Sequence, residues 1–284
     1  MKGKSDSGLL RLRARRVAKP WGRRDLPSPF ARSRGGDEAI GEIVFQGPAD
    51  WDPELLVKYL FTSERLSVQV HPDDEQARAR GFPRGKDEAW IVCDAASEGE
   101  IGVGLTEPLS PARLRKSACD GSLENKVDWR RVAPGDAYYS PAGTIHAIGA
   151  GVGLVEVQQN VDVTYRLYDY GRDRELHLDE AVAVARTGLH PEKAAPRRAG
   201  RGRTLVVTGP ALTVERVVAP AAGELAAERG PLWIIPQAPG GRIGDVQMHP
   251  GEVWAVREVR PFDLRAGATW LVAYSGGPRR ILWT

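Results

Sequence analysis

Cysteine, methionine and phenylalanine are scarce in this chain: two, two and five residues among 284. Cys93 and Cys119 cannot build a disulfide framework, and neither stands in a Cys-x-x-Cys pair. A reduced, cytoplasmic setting is the simplest expectation. No apolar run approaches the roughly 18 residues that a membrane-spanning helix needs, so no membrane partner is expected. Leu9, Leu10 and Leu12 are interrupted by arginine, which argues against a secretory signal. Gly149-x-Gly151-x-Gly153 joins two expected strands and opens no helix, so it reads as a turn and not as a dinucleotide fingerprint. Hydrophobic content of 42% against 27% charge excludes a largely disordered chain.

What the chain does have is glycine and proline, 32 and 21 residues, in the manner of many short strands joined by turns. Strands are expected over Leu66–His71, Ala89–Cys93, Asp136–Ser140, Leu154–Gln158 and Val163–Tyr168, and again around Trp233–Ile235 and Trp270–Ala273. Helical signals are fewer. Asp52 followed by Pro53 predicts a short helix over Pro53–Phe61. Others are expected after Pro72 (Asp73–Arg80), from Ser110 to about Lys116, from Ser122 towards Trp129, and over Asp179–Arg186. Residues 191–203 are rich in Pro, Gly and Arg without apolar periodicity and read as a linker. They divide residues 1–190 from a second set of strands over 204–284. Residues 1–35 carry a local net charge of +9 inside a chain of net +3. The alternation of Leu10, Leu12 and Ala14 with Arg11, Arg13 and Arg15 makes that segment a surface strand rather than a nucleic-acid arm, so no nucleic-acid partner is expected.

Four stretches carry candidate chemistry. In Leu66-Ser67-Val68-Gln69-Val70-His71, period-two alternation puts Ser67, Gln69 and His71 on one face. Gly85-Lys86-Asp87-Glu88-Ala89-Trp90 feeds a strand, and a Pro141/Gly143 turn delivers His146 into an otherwise apolar one. Two histidines and a carboxylate on neighbouring strands make a plausible metal constellation. In the fourth stretch Glu156 and Gln158 share a strand face, as do Thr164, Arg166 and Tyr168 on the next strand.

Leu-Ser-Val-Gln-Val-His-Pro-Asp-Asp (66–74), Gly-Lys-Asp-Glu-Ala-Trp (85–90), Pro-Ala-Gly-Thr-Ile-His-Ala (141–147) and Glu-Val-Gln-Gln-Asn-Val-Asp-Val-Thr-Tyr-Arg-Leu-Tyr-Asp (156–169) resemble, in order, the signature blocks of type I mannose-6-phosphate isomerases. Lys19-Pro20-Trp21-Gly22 and Gly41-Glu42 add to the resemblance. The departure is Val44, where that family commonly has tryptophan after its Gly-Glu pair. The length resembles the short bacterial form. The resemblance implies a mainly β chain: a catalytic cupin (jelly-roll) barrel over 1–190 with a small helical insert at about 105–130, and a C-terminal cupin-like β-domain over 204–284. It further implies one Zn²⁺ per chain on Gln69, His71, Glu88 and His146, with Lys86 and Arg166 catalytic or orienting the substrate.

The implied reaction interconverts mannose 6-phosphate and fructose 6-phosphate through a cis-enediol(ate), so charge developing on O1 and O2 must be stabilised. Two neutral imidazoles, a neutral amide oxygen and one carboxylate would leave Zn²⁺ with a formal +1, a reason for Gln69 to be an amide. Glu156, Lys86 and a metal-bound water all qualify as the proton-transfer base. Arg166 suits an oxyanion, either the substrate's phosphate or the enediolate, and Ser67, on the face of Gln69 and His71, suits the phosphate. A monomer or homodimer is expected. The competing readings are a non-haem iron oxygenase, which uses two histidines and a carboxylate, and a catalytically silent sugar-phosphate-binding cupin.

Overall fold

The computed structural model describes residues 8–31, 38–190 and 195–284. Its twenty-two strands form four antiparallel sheets stacked as layers. A five-stranded sheet runs Tyr165–Tyr168, Val68–Val70, His146–Ile148, Glu100–Leu105, Val127–Arg131. A six-stranded sheet runs Arg13–Arg23, Ile40–Gln46, Leu55–Phe61, Val152–Gln159, Glu88–Ala95, Ala137–Ser140. These two sheets face each other across Trp21, Leu60, Trp90, Ile101, Val103, Ile148 and Leu154, which gives the expected cupin sandwich. The second β unit is built the same way. A seven-stranded sheet packs on a four-stranded one around Leu232, Ile234, Phe262, Trp270, Val272 and Tyr274.

Period-two alternation explains how the six-stranded sheet lies between two others. Along Leu55–Phe61, residues Val57, Tyr59 and Phe61 point into a core shared with Trp233, Ile235, Leu271 and Ala273 of the seven-stranded sheet. Leu56, Lys58 and Leu60 point the other way, into a cavity between the two cupin sheets. Both faces of this sheet are therefore covered.

Pro53–Phe61, expected as a helix, is instead strand from Leu55 onward. The capping signal at Asp52 and Pro53 is outweighed by pairing on both sides, with Glu42–Phe45 and with Gly153–Gln159. The expected linker also requires correction. From Arg197 it forms a hairpin, Arg197–Gly200 against Arg203–Leu205, at the edge of the seven-stranded sheet, while residues 191–194 lie outside the described part. The remaining helical segments begin within a residue of where the sequence placed them, but their ends differ. Asp74–Arg78 carries a capping box from Asp73 and Gln76. Pro111–Asp120 is capped by the Ser110 side chain and ended by Gly121 in the left-handed conformation. Leu178–Val184 follows His177. Ser122–Lys126 is one 3₁₀ segment that gives way to strand at Val127. Helices Pro111–Asp120 and Leu178–Val184 cover the outer face of the five-stranded sheet, where Leu114, Ala118, Ala181 and Val184 meet Val68, Val70 and Leu167.

The described part of the basic N-terminal segment is strand over Leu9–Arg11 and Arg13–Arg23. Leu9–Arg11 pairs with Trp254–Val256 of the seven-stranded sheet, and Arg13–Val17 pairs with Glu42–Gln46 of the six-stranded one. The Gly149–Gly151 segment is the turn between His146–Ile148 and Val152–Gln159, with Gly151 at φ 73°. Among the described residues no helix is long and apolar enough to cross a membrane.

Candidate metal centre and its cavity

Strand register assembles the site. On the five-stranded sheet Arg166, Gln69 and His146 stand abreast. On the six-stranded sheet Lys58, Glu156 and Trp90 stand abreast, with Gln158 beside Glu88. Between the two rows lies a cavity of about 530 Å³. Ser67, Gln69, Lys86, Glu88, Glu156 and Arg166 all line it. His71 and His146, each only 1% exposed, are outside that lining and adjoin it at Glu88.

His71, Glu88 and His146 each bring a ligand atom within 4.8 Å of the others. His71 Nε2 is 3.2 Å from Glu88 Oε1, and His146 Nε2 is 3.6 Å from Glu88 Oε2. The Gln69 amide reaches to 3.3 Å from His146 Nε2. A flip about its last torsion offers a carbonyl oxygen from the same place. His146 Nδ1 lies 2.9 Å from the Thr144 carbonyl and donates to it, which leaves the Nε2 lone pair facing Glu88. Burial, followed by the charge of Lys86, pushes the His71 pKa down to about 3, so its imidazole is neutral and can act as a ligand. Burial also lowers that of His146. Glu88 Oε2 is buried without a hydrogen-bond donor. Converging lone pairs and an unsatisfied buried carboxylate oxygen fit a divalent cation.

The structure also places the other expected residues. Lys86 lies just ahead of the Glu88–Ala95 strand, yet its ammonium is 3.1 Å from Glu88 Oε1 and 3.4 Å from His71 Nε2. Glu156 is buried; Oε1 accepts from the Trp90 indole at 3.3 Å, and Oε2 lies 3.2 Å from Lys58 Nζ. Burial, and then the Glu88 charge, raise the Glu156 pKa, while Lys58 pulls it down. Arg166 donates to the Glu175 carbonyl at 2.6 Å, and its Nε is buried without a partner. Thr164 lines the cavity with Arg166, but Tyr168 does not. A bulge between Arg166 and Tyr168 turns the tyrosine to the helical side of the sheet, which corrects the expectation of one shared face.

Lys58 is the cavity residue that sequence reasoning missed. Its ammonium bridges Glu156 to Gln158 Oε1, the latter at 2.7 Å. Burial opposes its charge, but Glu156, Glu42 and Glu88 outweigh that and raise its pKa, so it stays protonated. The alternation of Leu56, Lys58 and Leu60 with Val57, Tyr59 and Phe61 was the available signal. Val44 forms part of the same wall.

With that geometry in place, comparison with known proteins is informative. Over 146 residues the chain is 40% identical to mannose-6-phosphate isomerase ManA of Bacillus subtilis, covering 49% of this chain and 46% of that protein. Over 169 residues it is 38% identical to mannose-6-phosphate isomerase of Streptococcus mutans, covering 56% and 53%. The crystal structure of mannose 6-phosphate isomerase from Bacillus subtilis superposes with a TM-score of 0.77 at 25% identity, covering 94% of this chain and 99% of that one. The chain is similar, in sequence and in fold, to the mannose-6-phosphate isomerases. The sequence match spans about half the length of these curated relatives, whereas the fold match to the Bacillus isomerase extends over nearly all of it. A putative mannosephosphate isomerase from Archaeoglobus fulgidus shares the fold with a TM-score of 0.72 at 17% identity. No family model matches the chain.

Proposed function

We propose that this protein is a mannose-6-phosphate isomerase, which interconverts mannose 6-phosphate and fructose 6-phosphate. One observation carries the reading. Glu88, which lies within reach of His71 and His146, lines the same cavity as Gln69, Lys86, Glu156 and Arg166. A facial triad alone leaves those four polar side chains without work, whereas an isomerase uses each. Gln69, His71, Glu88 and His146 would hold one Zn²⁺, which when bound supplies a Lewis acid towards the sugar oxygens. The cavity-lining residues run from Arg15 to Arg174, in keeping with a catalytic part over 1–190 and a supporting β-domain over 204–284. Cys93 and Cys119 are both free, in keeping with a cytoplasmic setting.

The side chains of the cavity divide the remaining work. Glu156 is placed to carry the proton between C2 and C1. Its pKa is raised towards the working pH, where a carboxylate both takes and returns a proton efficiently. Lys86, fixed on Glu88, presents an ammonium to the oxygens that become negative in the enediolate. Arg166 and Ser67, at the cavity wall, suit the phosphate oxygens.

The test is a coupled assay on mannose 6-phosphate before and after chelation, then with zinc restored. Activity lost on chelation and recovered with zinc supports the reading. No isomerisation in any metal state, together with iron binding and oxygen uptake, would replace it with an oxygenase.

A further inference from the structure

Asp87 stands between Lys86 and Glu88 in sequence but faces the other way. Lys86 and Glu88 line the sugar-phosphate cavity, whereas Asp87 lines a separate cavity of about 620 Å³ behind the same strand. It is 7% exposed, and both carboxylate oxygens are engaged. Oδ1 accepts from the Ala142 N–H at 2.8 Å, and Oδ2 accepts from the Tyr139 hydroxyl. Its own N–H donates to Gln159 Oε1 at 2.9 Å.

The Ala142 bond matters because of what the rest of that turn does. Gly143 N–H donates to the His71 carbonyl at 2.8 Å. The Thr144 carbonyl accepts from His146 Nδ1 at 2.9 Å. Three successive residues thus reach three segments: Ala142 to the residue beside Glu88, Gly143 to His71 and Thr144 to His146. All three links use backbone atoms of the turn, and they end on the Asp87 carboxylate, the His71 carbonyl and the His146 imidazole.

We infer that Asp87 is a positioning residue for the metal centre: its carboxylate, bonded to Ala142 N–H and Tyr139 O–H, locks the 141–144 turn to the Glu88 strand and so fixes Glu88 relative to His71 and His146. Outer groups that orient ligands typically govern affinity by about 10–100-fold. The inference rests on the proposed metal site.

The experiment is a zinc titration of the full chain against a chromophoric chelator, run on the unaltered protein and on Asp87→Ala, Asp87→Asn and Tyr139→Phe. Urea unfolding of each metal-free form runs beside it. Asp87→Ala is expected to weaken zinc binding by about 10–100-fold. Asp87→Asn keeps an oxygen for Ala142 N–H and restores affinity to within about threefold of the unaltered protein. Should Asp87→Ala fail to fold, Tyr139→Phe deletes one hydroxyl only and still loosens zinc by several-fold. Zinc affinity unchanged in a folded Asp87→Ala or in Tyr139→Phe overturns the inference, as does a loss that Asp87→Asn does not rescue or that merely tracks urea stability. No zinc uptake by the unaltered chain overturns the metal reading, and this inference with it.

Discussion

Glu156 is a buried carboxylate held between opposing influences, and the balance among them sets when it can act. Desolvation and the nearby Glu88 charge raise its pKa, and the Lys58 ammonium at 3.2 Å lowers it. Replacing Lys58 by methionine removes the lowering influence, so the Glu156 pKa rises further. A base must be ionised to accept a proton; the acidic limb of the kcat/KM profile for mannose 6-phosphate is therefore expected to move to higher pH in Lys58→Met. A profile that stays in place assigns the base elsewhere. Glu156→Gln removes the proposed base and is expected to lower kcat by about 10²–10⁴-fold with little change in zinc content. Much of this site was legible at the residue scale. Alternation puts Gln69 and His71 on one strand face, and the resemblance of their motifs to the isomerase blocks joins Glu88 and His146 to them. Lys58 was not, because a helix reading of Pro53–Phe61 removes the alternation that aims it inward.

At the scale of elements, arginine-rich composition misleads. Residues 191–203 look like a solvated linker, yet Arg203 is 7% exposed and makes a bidentate pair with Glu215, both bonds at 2.8 Å. The Tyr274 hydroxyl donates to the same carboxylate at 2.5 Å, so three strands of the seven-stranded sheet are tied at one buried point. No local pattern announces this, since the partner carboxylate arrives on the next strand. Removing one member of a buried pair strands the other charge, a loss of about 3–5 kcal/mol. Arg203→Ala is expected to lower urea stability by that amount, while activity of the folded fraction is retained because Arg203 lies outside the cavity lining. A change of less than about 1 kcal/mol would show that Glu215 finds water instead. The bulge after Arg166 is illegible for a related reason: one extra residue sends Tyr168 to the opposite face, and strand pairing, not composition, decides it.

The whole molecule was legible as two β units but not as four layers. Alternation shows that a strand has two faces; it does not show that both are buried when each is largely apolar. Here Ile43, Phe45, Val57, Tyr59, Ile91, Val155 and Val157 form one continuous core with Val207, Val214, Trp233, Ile235, Leu271 and Ala273. The back of the sheet that carries Lys58, Glu88 and Glu156 thus rests on the C-terminal unit. Leu9–Arg11 adds a covalent argument for unity, since a strand from the start of the chain completes the C-terminal sheet beside Trp254–Val256. Residues 1–190 produced alone would expose that aromatic and aliphatic face to water, and apolar patches of that extent drive association. The expected outcome is a product that elutes as oligomers on size exclusion and binds a hydrophobic dye, with little isomerase activity, even though every cavity-lining residue is present. A monodisperse, dye-free and fully active 1–190 would mean instead that the shared core contributes nothing to holding the catalytic sheet in shape.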